Sequence, residues 1–467
     1  MADWLEARPE GEDELVGYHL EQAFWYRHEL DRVSRDDGLA ARAAARLEAA
    51  GREALGRSDL PAAADLLERA VALLPQDDSA RAALLPELGQ TLMETGELRQ
   101  AEGVLAEARR AAAALDDERL AAHALVRQLL LRLQITTDAT AEAAAAIEEV
   151  LPVFERHRDE LGACHARRLE AWVYWFRGNV GAAEGAWREA AEHARRAGAD
   201  REETEVLLWL ASAAISGPTP AHEGIARCEE FLSRLADRPM TAALVLNSLA
   251  GLQAMAGDFD DARRSLGMAK TTLADFGVPW GAKSHAEALV AMLADDPEEA
   301  ERSLRADYDY LASRGEKAFL STTAARLARA VEAQGRRYEA YELTEVAERN
   351  GASDDFATQI VWRGVRARIV VEDGDGEVAE RLAREAVALA DQTDRLNSHG
   401  DALVDLATVL RKARGAADER DALEAALALY EQKENLVAAA RVRARLGSDR
   451  RRRRQGARPG DARGTNG

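Results

Sequence analysis

Residues 51–75, GREALGRSDLPAAADLLERAVALLP, contain a short pattern that recurs along the sequence and limits the folds that the chain can adopt. Asp59 ends a turn, because its side chain can accept a hydrogen bond from the exposed N–H groups that begin the next helix. Behind it, Ala63, Leu67 and Ala70 share one helix face at spacings of four and three. The alanines permit close helix contact and the leucine fills the space, so the segment predicts a packed helix pair.

Turns of this kind, each followed by small residues at the same spacing, recur about ten times at a period of roughly 34–42 residues. The chain has 467 residues, too many for one compact core, and only 5% of them are aromatic. Its apolar residues are mostly alanine and leucine, which favours helix over strand. The predicted array covers residues 39–447, and its clearest turns contain Gly96, Gly178, Gly257 and Gly374.

The repeat resembles the tetratricopeptide repeat (TPR). Residues 257–269 carry the match best, with a Gly-Asp-Phe turn followed by Ala262, Leu266 and Ala269. This resemblance implies an all-α fold, a right-handed α-solenoid of about ten TPR-like helix pairs. A fold of this kind is a generic platform, so it implies protein binding without naming a partner.

Residues 1–38 differ from the repeats and contain an amphipathic helical pattern, which a helix capping the array would explain. In a narrower resemblance, residues 2–30 look like the end of the ATPase module in multidomain actinobacterial signalling proteins. In those proteins a class III adenylate/guanylate cyclase domain and an AAA/STAND-type ATPase often precede a repeat array, to which residues 217–232 and 361–410 are similar.

This narrower resemblance implies a non-enzymatic scaffold or sensor that regulates an ATPase or nucleotide-cyclase signalling output. The alternative that it implies is a C-terminal fragment of an ATP-binding cyclase-type regulator, whose enzymatic domains are encoded upstream of Met1. No catalytic residue of those domains can be carried over to this sequence.

The formal charge of −21 argues against general nucleic-acid binding, and two cysteines are too few for a disulfide scaffold. The acidic start lacks the apolar core of a signal peptide, and no apolar run approaches the ~20 residues of a membrane span. We therefore expect a cytoplasmic protein that does not enter membranes.

The C-terminal residues 448–467 contain a row of five arginines, Arg450 to Arg454, and little that could be buried. We expect a disordered tail. Its arginines suit nucleic acid, an anionic membrane or an acidic partner, which includes the acidic array itself. The alternative is a tail that only aids solubility.

Motifs for chemistry are weak, so we expect no enzyme activity, no cofactor and no metal. Residues 277–284, GVPWGAKS, depart from a phosphate-binding loop at Ala282, and no strand precedes them. A nucleotide bound there is the competing catalytic hypothesis. A calcium loop that begins at Asp373 would need glycine at its sixth position and glutamate at its twelfth, but Val378 and Arg384 occupy these positions. His157, Cys164 and His165 have no second pair of ligands nearby.

The remaining candidate is a groove, because the first helices of stacked pairs line the concave side of such arrays. On the fourth pair, the face directed away from the second helix should present five residues as a protein or peptide site: His165, Arg168, Trp172, Trp175 and Phe176. Aromatic residues and arginine often anchor interfaces. In the alternative interpretation, the aromatics fill space between repeats.

Overall fold

The computed structural model describes residues 13–29, 38–275, 284–415 and 418–456. Within these residues the chain forms helices throughout: α1 Asp13–Glu29, α2 Leu39–Gly56, α3 Leu60–Leu73, α4 Ser79–Thr95, α5 Leu98–Ala114, α6 Glu118–Ile135, α7 Ala139–His157, α8 Glu160–Phe176, α9 Val180–Ala197, α10 Asp200–Ser216, α11 Ala221–Arg234, α12 Pro239–Ala256, α13 Phe259–Asp275, α14 His285–Leu293, α15 Pro297–Arg314, α16 Ala318–Ala333, α17 Arg337–Asn350, α18 Phe356–Glu372, α19 Gly376–Ala390, α20 Leu396–Ala413, α21 Arg420–Lys433 and α22 Leu436–Gly456.

Consecutive helices pair from α2 to α21, which gives ten pairs and confirms the predicted all-α solenoid. The first pair shows how a helix cap and small residues allow the two helices of a repeat to pack. Asp59 accepts a hydrogen bond from the Ala62 N–H at 3.3 Å and so caps α3. Ala63, Leu67 and Ala70 are fully buried. A Cβ at Gly51 would lie 3.1 Å from the Leu67 side chain, so the absent side chain lets α2 approach α3.

Helix α1 packs on α2 and α3. Gly17 lies against Leu47, since a Cβ there would come within 3.0 Å of it. Glu21 forms an ion pair with Arg69 of α3 at 2.6 Å. These contacts fit the expectation of a capping helix, whereas the boundary at residue 38 and the ATPase-like origin of the segment stay predictions.

The chain divides into two compact units. Unit 1 comprises Met1–Val173, Ala186–Val206 and Ser313–Glu316, and unit 2 comprises Tyr174–Gly185, Leu207–Ala312 and Lys317–Gly467. Repetition alone predicts contacts between neighbouring repeats only. Unit 2, however, also contains contacts between segments more than two hundred residues apart.

One such contact in unit 2 caps a helix. The carboxylate of Asp394 accepts the N–H groups of Val180 and Gly181 at the start of α9, both at 2.7 Å. In another, the buried Lys433 of α21 donates to three carbonyl oxygens around the connection between α10 and α11, those of Ala214, Gly217 and Thr219. Distant parts of unit 2 therefore satisfy each other's backbone groups.

Helix α12 is the one helix among the described residues that is long and apolar enough to cross a membrane, and 61% of it is buried within the protein. Leu252 and Met255 of α12 are fully buried in a cluster with residues of its neighbouring helices. Its hydrophobicity is thus that of a helix packed inside the array.

Two sequence predictions fall on or near undescribed residues. The phosphate-loop-like segment 277–284 lies outside the described residues except for Ser284. Helix α22 continues to Gly456, and residues 457–467 lie outside the described part, so the predicted disordered tail 448–467 stays a prediction.

Candidate functional site

Unit 1 contains a cavity of about 400 Å³. Its lining residues lie on the first helices of five successive pairs, namely α2, α4, α6, α8 and α10, except for Leu115 and Asp117 in the connection before α6. The size falls in the range of pockets that bind small molecules or side chains. Its walls carry several charged and polar groups.

Arg127 of α6 is the centre of one polar cluster. Its Nη1 donates to Oε1 of Gln90 on α4 at 3.0 Å, and its Nη2 lies 2.9 Å from Nε2 of His165 on α8. Three successive first helices thus contribute one residue each. Because His165 has to accept this bond, its imidazole must be neutral.

A second cluster lies beside the first and links α4, α8 and α10. Arg201 pairs with Glu94 and with Glu205, the latter at 3.0 Å. Arg168 also pairs with Glu205, at 2.7 Å. Gln90 donates to Glu94 at 2.7 Å and so connects the two clusters.

The charges of these clusters follow from their surroundings. Burial, with the nearby charge of Arg127, holds the pKa of His165 well below its ordinary value. Burial also raises the pKa of Glu94, and the neighbouring Glu205 adds to this effect. Although burial opposes its ionisation, the arginines hold the pKa of Glu205 below its ordinary value. We conclude that Glu205 is ionised and His165 is neutral at pH 7.

A third polar contact fixes the start of α8. Asp159 accepts a hydrogen bond from the Gly162 N–H at 2.8 Å and lies 2.8 Å from Nε2 of His123, a residue of the cavity wall. Burial opposes ionisation of this carboxyl group, but the bonds from His123 and Gly162 outweigh it and lower the pKa of Asp159 to about 2. The capped helix holds His165 in place.

The structure distributes the five predicted site residues unequally. His165 is buried in the cavity wall, and Arg168 belongs to the adjoining cluster. Trp172 is half-buried and meets the fully buried Trp187 edge to face, with ring centroids 6.0 Å apart.

The last two predicted residues belong to unit 2. The guanidinium of Arg395 lies 4.6 Å from the centroid of Trp175 and donates to its carbonyl oxygen at 2.9 Å. Phe176 is buried. The Trp172–Trp187 contact lies within one helix pair, and the Trp175–Arg395 contact joins distant segments of unit 2. The proposal that all five residues form one binding face, and the alternative that the aromatics fill space between repeats, both stay predictions.

Among the described residues, no group of three or more histidine, cysteine, aspartate or glutamate side chains is placed to hold a metal ion. Cys164 and Cys228 are free and buried, and burial raises their pKa values to about 11 and about 12. Thiols with such pKa values are poor nucleophiles at pH 7.

Sequence reasoning missed Gln90, Arg127 and Arg201, although the repeat carries a signal for two of them. Gln90 and Arg127 are 37 residues apart, and Arg127 and His165 are 38 apart. Residues one repeat apart occupy equivalent positions, so aligning the repeats in columns would have placed these polar residues side by side. Arg127 also interrupts the apolar run ALVRQLLL.

Comparison with known proteins supports the fold. No protein-family model and no curated protein matches the chain. The structure of a Rap protein complexed with Competence and Sporulation Factor is similar, at 15% identity and a TM-score of 0.55, over 76% of this chain and 100% of that one. The APC/C hetero-tetramer Cut9–Hcn1 is similar at 14% identity and a TM-score of 0.54, over 92% of this chain and 83% of that one. The chain has a TPR-like helical solenoid fold.

Proposed function

We propose that this protein is a non-enzymatic, cytoplasmic scaffold or sensor that binds a peptide or protein segment in the cavity of unit 1. The observation that carries the proposal is the cavity itself, whose walls come from five first helices and hold buried hydrogen-bonding side chains. A cavity of this kind offers a ligand both apolar contact and directed polar bonds.

The similar folds support a binding role. The Rap protein was solved with Competence and Sporulation Factor bound, and Cut9 was solved in an assembly with Hcn1. Both are structures of a similar solenoid that holds a partner. We propose that His165, which lines the cavity, contacts the ligand directly. Arg168 is proposed to act indirectly, because it pairs with Glu205, which in turn pairs with Arg201 of the cavity wall.

We further propose that ligand binding regulates an ATPase or nucleotide-cyclase output, as the resemblance of residues 2–30 and of the array implies. Helix α1 supports a second contact at this end, because it exposes four large apolar side chains: Leu15, Tyr18, Trp25 and Tyr26. An exposed face of this kind often marks an interaction surface.

Site-specific photo-crosslinking tests the binding function in cells. A benzoylphenylalanine at Ala83, an exposed residue of the cavity wall, should form an adduct with a peptide or protein. The matched control places the same residue at Gly103, whose Cβ would point into open space on α5. Adducts of equal amount and identity at both positions would contradict the proposal.

The regulatory role needs a separate measurement. The crosslinked partner, or an ATPase or cyclase encoded beside this gene, is assayed with and without the purified chain. We expect its nucleotide turnover to change, and to change less when α1 carries Tyr18→Ser and Tyr26→Ser. Unchanged turnover would contradict regulation and leave ligand binding intact.

A further inference from the structure

The arginines of the cavity wall differ in how their charge is balanced. Arg52 pairs with Glu87 at 3.0 Å, Arg201 pairs with Glu205 at 3.0 Å, and Arg119 lies 3.7 Å from Asp159. Each of these guanidinium groups has a carboxylate within ion-pair distance.

Arg127 has no such carboxylate among the described residues. It is only 9% exposed, and its hydrogen-bond partners are the neutral amide of Gln90 and the imidazole of His165. A buried charge without a carboxylate in direct contact costs free energy, and a carboxylate of a ligand would lower that cost. Glu202 and Glu94 act on Arg127 only from beyond ion-pair distance, so its guanidinium, in the wall of a cavity large enough to admit a ligand, can bind a closer carboxylate.

We propose that Arg127 binds a carboxylate group of a peptide ligand, and this proposal rests on the proposed function of the cavity. Gln90 and His165 orient the guanidinium by accepting from its two terminal nitrogens. The bound carboxylate supplies the ion-pair partner that Arg127 lacks among the described residues, through charge-assisted hydrogen bonds that are stronger than neutral ones.

The surrounding charges favour a carboxylate over a phosphate. Glu202 also lies in the cavity wall, and both Glu202 and Glu94 are close enough to Arg127 to interact with its charge. Negative charge on these groups would oppose a dianionic phosphate about twice as strongly as a singly charged carboxylate, which favours the carboxylate. The carboxylate can come from an acidic side chain or from a free C-terminus, and these two sources can be separated by experiment.

Selection from peptide libraries tests the proposal on the full chain. Immobilised protein is incubated with two random hexapeptide libraries, one with free and one with amidated C-termini, and the bound peptides are sequenced. We expect enrichment of Asp and Glu in both libraries if a side chain supplies the carboxylate. If the C-terminus supplies it, we expect much stronger capture from the free library than from the amidated one.

Three variants identify the residue responsible. Arg127→Gln should reduce the enrichment by roughly tenfold or more, because it removes a buried charge pair. Arg127→Lys keeps the charge without the planar guanidinium and should retain part of the preference. The matched control, Arg81→Gln, removes an arginine of α4 with a similarly buried side chain that pairs with Glu107 outside the cavity, and should change nothing.

The outcomes separate this proposal from the proposed function. If the captured peptides show no preference for acidic residues or a free C-terminus, or if Arg127→Gln leaves that preference unchanged, Arg127 does not bind the carboxylate. Both outcomes would still agree with peptide binding in the cavity. No capture from either library would overturn both proposals. Thermal melts of all variants serve as the folding control, and Arg127→Lys provides the decisive comparison if Arg127→Gln fails to fold.

Discussion

His165 shows how burial fixes the charge state of a single residue. Its ring accepts a hydrogen bond from Arg127 and lies in a wall that excludes most water. Burial and the charges of Arg127 and Arg168 together depress its pKa in the folded protein. In the unfolded chain the same histidine titrates near pH 6.5.

This difference predicts a pH dependence of stability. As the pH falls below about 6.5, the unfolded state binds a proton that folded His165 does not, so the free energy of unfolding should fall by up to about 1.4 kcal/mol per pH unit. Chemical denaturation between pH 5 and 7.5 measures this slope. His165→Gln should flatten it, and the remaining slope should come partly from His285, whose pKa burial also lowers. An equal slope in the variant would contradict a neutral His165.

Two helical glycines of the same repeat provide a second prediction at this scale. A Cβ at Gly89 would come 2.5 Å from the buried Leu105, whereas a Cβ at Gly103 would meet nothing within 4 Å. Gly89→Ala should therefore lower the free energy of unfolding by about 1 kcal/mol or more. Gly103→Ala should raise it by about 0.5–1 kcal/mol, because alanine favours the helix. Denaturation midpoints compare the two, and a stabilising Gly89→Ala would show that the packing is looser.

At the scale of the element, most turns could be predicted from the sequence because their causes are local. Gly96, Gly257 and Gly374 do adopt the positive φ angles of a helix end. The buried alanines of the second helices follow from spacing alone. The polar cluster around Arg127 could not be read from one helix, since its members become neighbours only when repeats stack.

The start of α9 shows the limit of local reasoning. Its cap in unit 2 comes from Asp394, which is 214 residues away from Val180 along the chain. The segment around Asp394 carries no sign of this role, because the residues that it contacts follow from the folded path of unit 2. The same holds for Lys433 and the carbonyl groups that it binds.

Removal of the Asp394 cap should destabilise the start of α9. Asp394→Ala leaves the N–H groups of Val180 and Gly181 without their acceptor and should lower the free energy of unfolding by about 1–2 kcal/mol. Asp394→Asn keeps one acceptor oxygen and should cost less. Hydrogen exchange at the start of α9 should rise in the alanine variant. Unchanged exchange there would mean that the cap does not stabilise the helix.

At the scale of the whole molecule, stacked repeats bury their apolar faces against one another. In such arrays stability is close to a sum over repeats and their interfaces, so damage can remain local. Ala63 is fully buried in the first pair, where a larger side chain would separate α2 from α3.

We therefore predict that Ala63→Arg unfolds the N-terminal pairs before the others. Hydrogen exchange followed by mass spectrometry should show lost protection in α2 to α5, with unit 2 keeping its protection. A single cooperative melt, shifted but unsplit, would contradict a repeat-by-repeat description.

We propose that the cavity formed by the first helices of unit 1 binds a peptide. The most direct measurement is capture of the random peptide libraries by Ala83→Trp, which fills the cavity from its exposed wall, compared with Gly103→Trp on open surface. We predict that the first variant loses capture and the second retains it. Full capture by Ala83→Trp would contradict the claim.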